Sequence, residues 1–220
     1  EPLRPTRRMG QARVWERIVS QVCVSGSARG MEKLATNPRQ YKEFRQATSL
    51  SALARRGYRA NHIAAVLRRF RATRFHNQAA KRLLKVIRTT TIVQGDKCVL
   101  MRQVPRSDDY RMIREALMAS CPIFKLKSAS DFMISTGLCH DVVALDTRVV
   151  GVLRRYFGFN YEAPAVQGRP GLYFSVEQAL REVCEEERES LALLDRILFR
   201  YGGISTLEFV LGYMADNGGA

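Results

Sequence analysis

Apolar residues recur at spacings of three and four along most of this chain of 220 residues. That spacing places them on one face of an α-helix, as Val14, Ile18 and Val22 do within residues 11–25. Glycine, proline, asparagine or serine interrupts the pattern between one segment and the next. We count about ten such segments and no credible sheet, which predicts an all-α fold with short connections.

The helical segments and the breaks between them can be placed along the chain. Helices are predicted at 11–25, at 31–34 with a stop at Asn37-Pro38, once or twice within 39–56, at 60–70, 78–88 and 110–119, from Lys127 to Gly137, after Asp146, at 175–200 with Ser175 as the cap, and at 204–214. Residues 1–10 form an extended basic arm. Residues 89–109 form a long excursion or a small hairpin, and the glycine- and proline-rich residues 158–174 form an irregular loop.

The charge of the chain is distributed unevenly. The total is +15, but residues 1–88 carry 21 Lys and Arg against 4 Asp and Glu, a balance of +17. Residues 89–220 carry the remaining 15 against 17, a balance of −2. Neutralising phosphates with lysine and arginine releases counterions, so one strongly basic face indicates a nucleic-acid partner. A membrane surface is a weaker alternative, because the basic helices also carry ordinary core faces.

Composition argues against several classes of protein. The five cysteines are scattered, none lies in a C-x-x-C pair, and there are only three histidines. This argues against a structural zinc site, an iron–sulfur cluster or a disulfide framework, so we expect no metal and no cofactor. No apolar run approaches the roughly 18 residues of a membrane span, and we expect no membrane association.

The stretch Cys121–Tyr156 holds the candidate chemistry. Lys127 opens one helical pattern, which Gly137 ends as a C-terminal glycine does. A short apolar run then leads into Asp146, at the N-cap of the next helix. A lysine and an aspartate at two helix starts, 146 − 127 = 19 positions apart, can reach one cleft. We interpret the pair as an active site that acts on a nucleic-acid base.

Each residue of this pair also has an ordinary interpretation. Asp146 can be an N-cap and nothing more, and Lys127 can be a solvated surface lysine. The joint spacing favours function over both. Asp131 and Asp141 are expected at the surface. The aromatic residues Trp15, Phe75 and Phe124 are expected in the core.

Residues 121–150 resemble the helix-hairpin-helix DNA glycosylases, the superfamily of endonuclease III, adenine-mismatch glycosylases and 8-oxoguanine glycosylase/lyases. The family's LPGxGxK hairpin is matched by CPIFKLK at 121–127, its following alanine by Ala129, and its V-D-x-H-like segment by ALDTR at 144–148. Both hairpin glycines are replaced, by Ile123 and Lys125. We hypothesise that Lys125 supplies a side-chain phosphate contact where the glycines would have exposed backbone N–H groups.

Two upstream segments extend the resemblance over most of the chain. IVSQ at 18–21 resembles the early helix whose glutamine probes the duplex, which would make Gln21 a DNA contact; a plain helix polar residue is the alternative. RFHNQAA at 74–80 is similar to the R-F-x-N-x-x-A segment of the archaeal-type 8-oxoguanine branch, which would place Arg74 on DNA. Arg148, beside Asp146, would touch a phosphate or be merely exposed.

The resemblance implies a bifunctional DNA glycosylase/AP lyase with two closely packed helical subdomains and a cleft between them. Approximate boundaries are 40–156 for the central subdomain with the hairpin, and 1–39 plus 157–220 for the second, within one unit of 1–220. Lys127 would be the amine nucleophile and Asp146 the essential carboxylate. A lysine attacks only as the free amine, which partial burial or nearby positive charge favours.

The implied substrate is double-stranded DNA with a damaged base, bound by a monomer, with 8-oxoguanine favoured. Two alternatives stay open: a glycosylase for another lesion, and a catalytically inactive DNA- or RNA-binding helical module. The implied location is the cytoplasm, with the nucleoid, in a prokaryote and the nucleus in a eukaryote.

Overall fold

A computed structural model describes residues 9–201 of the chain. The predicted helix at 204–214 and nearly all of the predicted arm at 1–10 lie outside the described residues. Within them the fold is all-α with almost no sheet, which confirms the predicted fold class.

The helices are short and follow one another closely. They are α1 (Gln11–Val24), α2 (Arg29–Ala35), α3 (Pro38–Ala47), α4 (Leu50–Ala54), α5 (Ala60–Arg69), α6 (His76–Ile87), α7 (Tyr110–Ser120), α8 (Leu126–Thr136), α9 (Thr147–Phe157), α10 (Ala163–Gly168), α11 (Pro170–Glu186) and α12 (Leu191–Tyr201). Two-residue strands β1 (Val93–Gln94) and β2 (Lys97–Cys98) pair antiparallel and precede a short 3₁₀ turn, Leu100–Arg102. No helix within residues 9–201 is long and apolar enough to cross a bilayer.

The chain divides into two compact units, Glu1–Cys139 and His140–Ala220. The first is built around α1, which packs against α2, α6, α8 and β2. Its buried face carries Val14, Ile18 and Val22, as the periodicity predicts. Trp15 is also buried, and its indole N–H donates to the backbone oxygen of Thr48 at 2.7 Å. This bond satisfies the indole donor inside the core.

The second unit packs α9 against α12 and α11 against both α10 and α12. Its core includes the apolar run 142–145 and the inner face of α9, with Val149, Val150 and Leu153. The run 142–145 is not helical, so its backbone polar groups need partners from elsewhere in the unit. The predicted subdomain boundaries at 40, 156 and 157 stay a prediction.

Proline begins two of the described helices. The prediction is wrong at Pro170, whereas α2 and α3 separate at the predicted break Asn37-Pro38. The predicted loop 158–174 contains α10 and the start of α11. Pro170 is the first residue of α11, so the helix begins five residues before the predicted cap Ser175. Pro38 likewise begins α3, with the Asn37 side chain accepting the Gln40 N–H. Proline is favoured in the first helical turn because the N–H that it lacks has no helical partner there.

Candidate active site

The turn before α8 closes without glycine. The backbone N–H of Phe124 donates to the Cys121 oxygen at 3.0 Å, and the Phe124 ring packs 4.9 Å from that of Phe132. Lys125 has a φ of −128°, and Ile123 is not among the positive-φ residues of the described chain. Neither position therefore needs the left-handed region that favours glycine, which explains how the turn accepts both side chains.

Helix α8 starts at a defined cap. The Ser128 hydroxyl accepts a hydrogen bond from the Lys125 N–H at 2.8 Å, reaching back to the residue before the helix. At the other end, Gly137 has a φ of +68° and the Leu138 N–H donates to the Met133 oxygen, which is the αL ending that the sequence predicts. These caps fix the first turn of α8, where Lys127 lies.

Lys127 is partly buried and faces a carboxylate. Its side chain is 25% exposed, and its Nζ lies 3.8 Å from Asp131 Oδ2, one turn further along α8. The same Oδ2 atom accepts a 2.7 Å hydrogen bond from the Nε2 of Gln21 on α1. Gln21 is buried, and the Asp131 side chain is only 19% exposed. The expectation that Asp131 is a surface residue is therefore wrong: it links Lys127 with Gln21.

Asp146 is the N-cap of α9, as predicted. Its Oδ1 accepts hydrogen bonds from the N–H groups of Arg148 and Val149, both at 2.9 Å. These bonds place the Asp146 carboxylate at the positive end of the dipole of α9. An N-cap needs only one carboxylate oxygen to do this, so the cap leaves the second oxygen for other contacts.

Two buried carboxylates hold the segment that leads into Asp146. Glu177 of α11 accepts the Val143 N–H at 3.2 Å, and Asp195 of α12 accepts the Ala144 N–H at 2.7 Å. Glu177 is 1% exposed and Asp195 2%. Buried carboxylates are costly unless they are paired or hydrogen-bonded, so these two are committed to local contacts.

Two more side chains complete the support of this segment. The Tyr173 hydroxyl donates to the Val143 oxygen at 2.6 Å and accepts the Leu145 N–H at 3.4 Å. Gln167 Nε2 donates to the Leu145 oxygen at 2.9 Å. Side chains from α10, α11 and α12 thus take the role that a neighbouring strand would have in a sheet. We use the name clamp for the four side chains Gln167, Tyr173, Glu177 and Asp195.

The start of the segment is held by an ion pair. Arg181 is buried on α11, and its Nε lies 2.9 Å from both carboxylate oxygens of Asp141. Its Nη2 donates to the Asp141 backbone oxygen at 3.1 Å, while its Nη1 donates to Gln178. The Ala192 N–H also donates to the His140 oxygen. Asp141 is exposed as expected, but it has a structural partner.

The remaining predicted DNA contacts lie on the surfaces of the two units. Lys125 is exposed. Arg74 is exposed, and its guanidinium lies 4.5 Å from the centroid of the Phe75 ring. Arg148 lies 4.4 Å from the centroid of the Phe199 ring of α12. Their contacts with DNA, like that of Gln21, stay predictions.

Aromatic burial follows the prediction in two cases of three. Trp15 and Phe124 are in the core, whereas Phe75 is 40% exposed. The prediction for Phe75 is wrong because the residue immediately precedes α6 and is not on its inner face. The Phe75 ring instead packs against Gly26. A Cβ added at Gly26 would lie 3.0 Å from Cε2 of this ring.

The sequence pattern did not identify Asp131 or the clamp. Asp131 follows Lys127 by four positions, a spacing that brings helical side chains together, so that contact was open to prediction. Glu177 and Asp195 gave no such signal, because their partners are backbone groups 34 and 51 positions away. Among the described residues, no group of three or more His, Cys, Asp or Glu could hold a metal ion.

The middle of the chain matches a known protein family. The family described as 8-oxoguanine DNA glycosylase, a helix-hairpin-helix family, matches residues 40–189. The matched range is more than half of the chain and contains Lys127 and Asp146, while Gln21 precedes it.

The chain belongs to this family and is a DNA glycosylase of the 8-oxoguanine type. The predicted resemblance is thereby confirmed. Searches of curated proteins and of solved structures found no significant match.

Proposed function

We propose that the protein is a bifunctional DNA glycosylase/AP lyase that excises 8-oxoguanine from duplex DNA through a Schiff base on Lys127. The observation that carries the proposal is a partly buried lysine in the first turn of a capped helix, inside the range of the glycosylase family. The rigid helix start gives the amine a defined position, which nucleophilic catalysis requires.

The reaction begins with base excision. The lone pair of the free Lys127 amine forms a bond to C1′ of the damaged nucleotide. The bond between C1′ and the base breaks, and its electron pair leaves with the base, which takes up a proton. The target base must first leave the stack, because the attacked atoms are inaccessible within a duplex.

Strand cleavage follows from the same intermediate. Nζ is positively charged after the attack and releases a proton. Its lone pair then expels O4′ from C1′, so that the sugar ring opens, O4′ takes up a proton and an iminium is left between C1′ and Nζ. Loss of a C2′ proton then expels the 3′ phosphate with the electron pair of the C3′–O3′ bond. Water releases Lys127 from the cleaved strand, so the protein needs no cofactor for either step.

Asp146 is proposed to stabilise the positive charge that develops on the sugar and to assist proton transfer. Support comes from its N-cap position: two backbone N–H groups hold Oδ1, and the segment before it is held by the clamp. A charge fixed in this way does not need to reorganise when the reaction occurs.

The proposed partner is double-stranded DNA bound by a monomer. The positive excess of residues 1–88 supplies the general attraction for phosphates. Lys125, Arg148 and Arg74 are proposed as backbone contacts, and Gln21 as a contact near the target base. Lys125 acts as a point charge and replaces the directional N–H contacts of a glycine hairpin.

Borohydride trapping tests the proposal. The protein is incubated with a duplex that contains one 8-oxoguanine, and sodium borohydride reduces any Schiff base to a stable protein–DNA adduct. The wild type should form the adduct and cleave the strand, whereas Lys127→Gln should do neither. Lys42→Gln, a lysine-to-glutamine change on α3, is the matched control and should retain trapping.

Two results would contradict the proposal. An adduct that persists in Lys127→Gln would remove the nucleophile role from this residue. Base release by the wild type with neither adduct nor strand cleavage would indicate a glycosylase that uses water. A panel of duplexes with oxidised pyrimidines and alkylated purines tests the substrate, and a faster rate on one of these would replace 8-oxoguanine.

A further inference from the structure

One carboxylate connects the proposed nucleophile with a residue on another helix. Asp131 Oδ2 accepts the 2.7 Å hydrogen bond from Gln21 and lies 3.8 Å from Lys127 Nζ. The three side chains form a continuous series from α1 to α8, within the first compact unit. We refer to Gln21, Asp131 and Lys127 as the relay.

The two contacts of Asp131 differ in kind. The Gln21 bond is short and has the geometry of a hydrogen bond, whereas 3.8 Å is beyond hydrogen-bond length and leaves a charge-to-charge contact. Gln21 therefore helps to orient the carboxylate, and the carboxylate in turn attracts the lysine. A movement of the Gln21 amide can be passed to Oδ2 through this bond.

Lysine needs such an anchor more than most residues. Its side chain has four rotatable bonds and can move Nζ over several ångströms. A carboxylate four positions further along a helix restricts it. With side-chain exposures of 25% and 19%, this pair is less screened than an ordinary surface ion pair.

We infer that Asp131 is a positioning residue that passes the contact of Gln21 with DNA to Lys127. The inference rests on the proposed roles of Lys127 as nucleophile and Gln21 as a DNA contact. In free protein, Gln21 and Lys127 share one carboxylate oxygen. When DNA engages the Gln21 amide, Asp131 Oδ2 moves with the amide, and Nζ follows the carboxylate to its reacting position.

The relay predicts that recognition and chemistry are coupled. An undamaged or poorly seated duplex leaves the Gln21 amide where it lies in the free protein, and Lys127 stays in its resting position. A small displacement of a nucleophile can cost about a hundredfold in rate. Selectivity would then come partly from the rate of attack and not only from binding.

The experiment uses a duplex that already contains an abasic site, so that attack by Lys127 is measured without base excision. Single-turnover borohydride trapping gives the rate of Schiff base formation. The Kd for a duplex with a tetrahydrofuran abasic analogue, which cannot react, gives binding separately. Asp131→Asn keeps the size and an acceptor for Gln21 but removes the charge.

We expect Asp131→Asn to trap about tenfold more slowly than wild type, with a Kd within twofold. Asp131→Glu restores the charge and should recover most of the rate. Gln21→Ala should also slow trapping, and Gln21→Ala combined with Asp131→Asn should be no slower than the slower single variant, because both act through one contact.

A matched control is available on α3. Arg39 and Glu43 form another pair four positions apart, with Arg39 Nε 3.5 Å from Glu43 Oε1 and both side chains well exposed. Glu43→Gln therefore removes the same kind of charge at a position outside the relay. Its trapping rate should equal that of wild type.

Three outcomes would overturn the inference. These are an Asp131→Asn rate equal to or above that of Glu43→Gln, an Asp131→Glu variant as slow as Asp131→Asn, and a double variant whose slowing is the product of the two single effects. The Lys127→Gln variant keeps the two proposals apart. Trapping that survives in it contradicts the proposed function, whereas trapping lost in it but normal in Asp131→Asn contradicts the relay alone.

Discussion

The carboxylate of Asp195 accepts a hydrogen bond from the backbone N–H of Ala144 at 2.7 Å, with both residues buried. The two lie 51 positions apart in sequence. This contact ties α12 to the segment that ends at the N-cap Asp146, so a residue outside the proposed chemistry supports a residue within it.

Asp195→Ala should lower the free energy of unfolding by about 2–3 kcal/mol, because the buried Ala144 N–H loses its acceptor. Chemical denaturation followed by circular dichroism measures the change. Glu186→Ala, at an exposed position of α11, is the control and should stay within about 0.5 kcal/mol of wild type. Equal stability of the two variants would show that the clamp contributes nothing to the fold.

Substitutions at Asp146 should separate capping from catalysis. Asparagine caps helices about as well as aspartate, whereas alanine costs about 1 kcal/mol. Asp146→Asn should therefore keep the wild-type unfolding free energy, and Asp146→Ala should lose about 1 kcal/mol. Both should slow strand cleavage about a hundredfold or more, since neither retains the negative charge.

The control for this pair is Asp109, which caps α7 by accepting the Arg111 N–H at 2.8 Å. Asp109→Ala should lose similar stability and retain single-turnover activity. If Asp146→Asn excises the base at the wild-type rate, Asp146 is a cap and not a catalytic residue.

Lys125→Ala tests how the turn without glycines contacts phosphate. Loss of one lysine–phosphate contact should reduce the slope of log K against log salt by about 1. Titration of a fluorescent duplex at several salt concentrations measures the slope. Lys125→Arg keeps the charge and should keep the slope, and a Lys125→Ala slope equal to wild type would remove this contact.

The buried cysteines give a pH prediction. Burial raises the pKa of the Cys23 and Cys121 thiols to about 12 and that of Cys98 to about 11, from an ordinary 9.0. Below pH 9 these thiols are neutral in the folded and the unfolded chain, and the stability from their burial is fully present. As the pH rises from 9 towards 12, the unfolded chain loses these protons first, so the free energy of unfolding falls.

At pH 10 the loss should be about 1 kcal/mol per thiol, measured by denaturation at pH 8 and pH 10. Cys23→Ala should show a smaller loss than wild type, and an identical loss would contradict the burial argument. At pH 8, iodoacetamide should modify the half-buried Cys139 first, as mass spectrometry of the digested protein would show. Faster labelling of Cys121 would contradict the same argument.

The fold was open to prediction where a short-range rule applies. Apolar spacing predicts α1, and Gly137 and Asp146 mark the ends of their helices through local hydrogen bonds. The start of α11 at Pro170 was missed because proline can end a helix or begin one, and spacing alone does not decide between them. Spacing and resemblance together predict Lys127 and Asp146 as the catalytic pair, and that role stays a prediction.

The supporting residues were not predictable in the same way. A carboxylate that accepts a backbone N–H has no complementary side chain to search for, and this is the case for Glu177 and Asp195. Residue type predicts a core position for Phe75, but its position just before a helix leaves it 40% exposed. Long-range contacts and exact helix phase are both set by packing, which a single sequence does not specify.

The clamp also has a consequence for mobility. Connecting segments are usually the mobile parts of a protein, and residues 142–145 have no helix or strand of their own. The N–H groups of Val143, Ala144 and Leu145 are nevertheless bonded to buried side chains, so these three amide hydrogens should exchange with deuterium as slowly as those of the helical core. A segment held in this way is already ordered before DNA binds. The free energy of DNA binding at Asp146 would therefore not be reduced by a cost of ordering this segment.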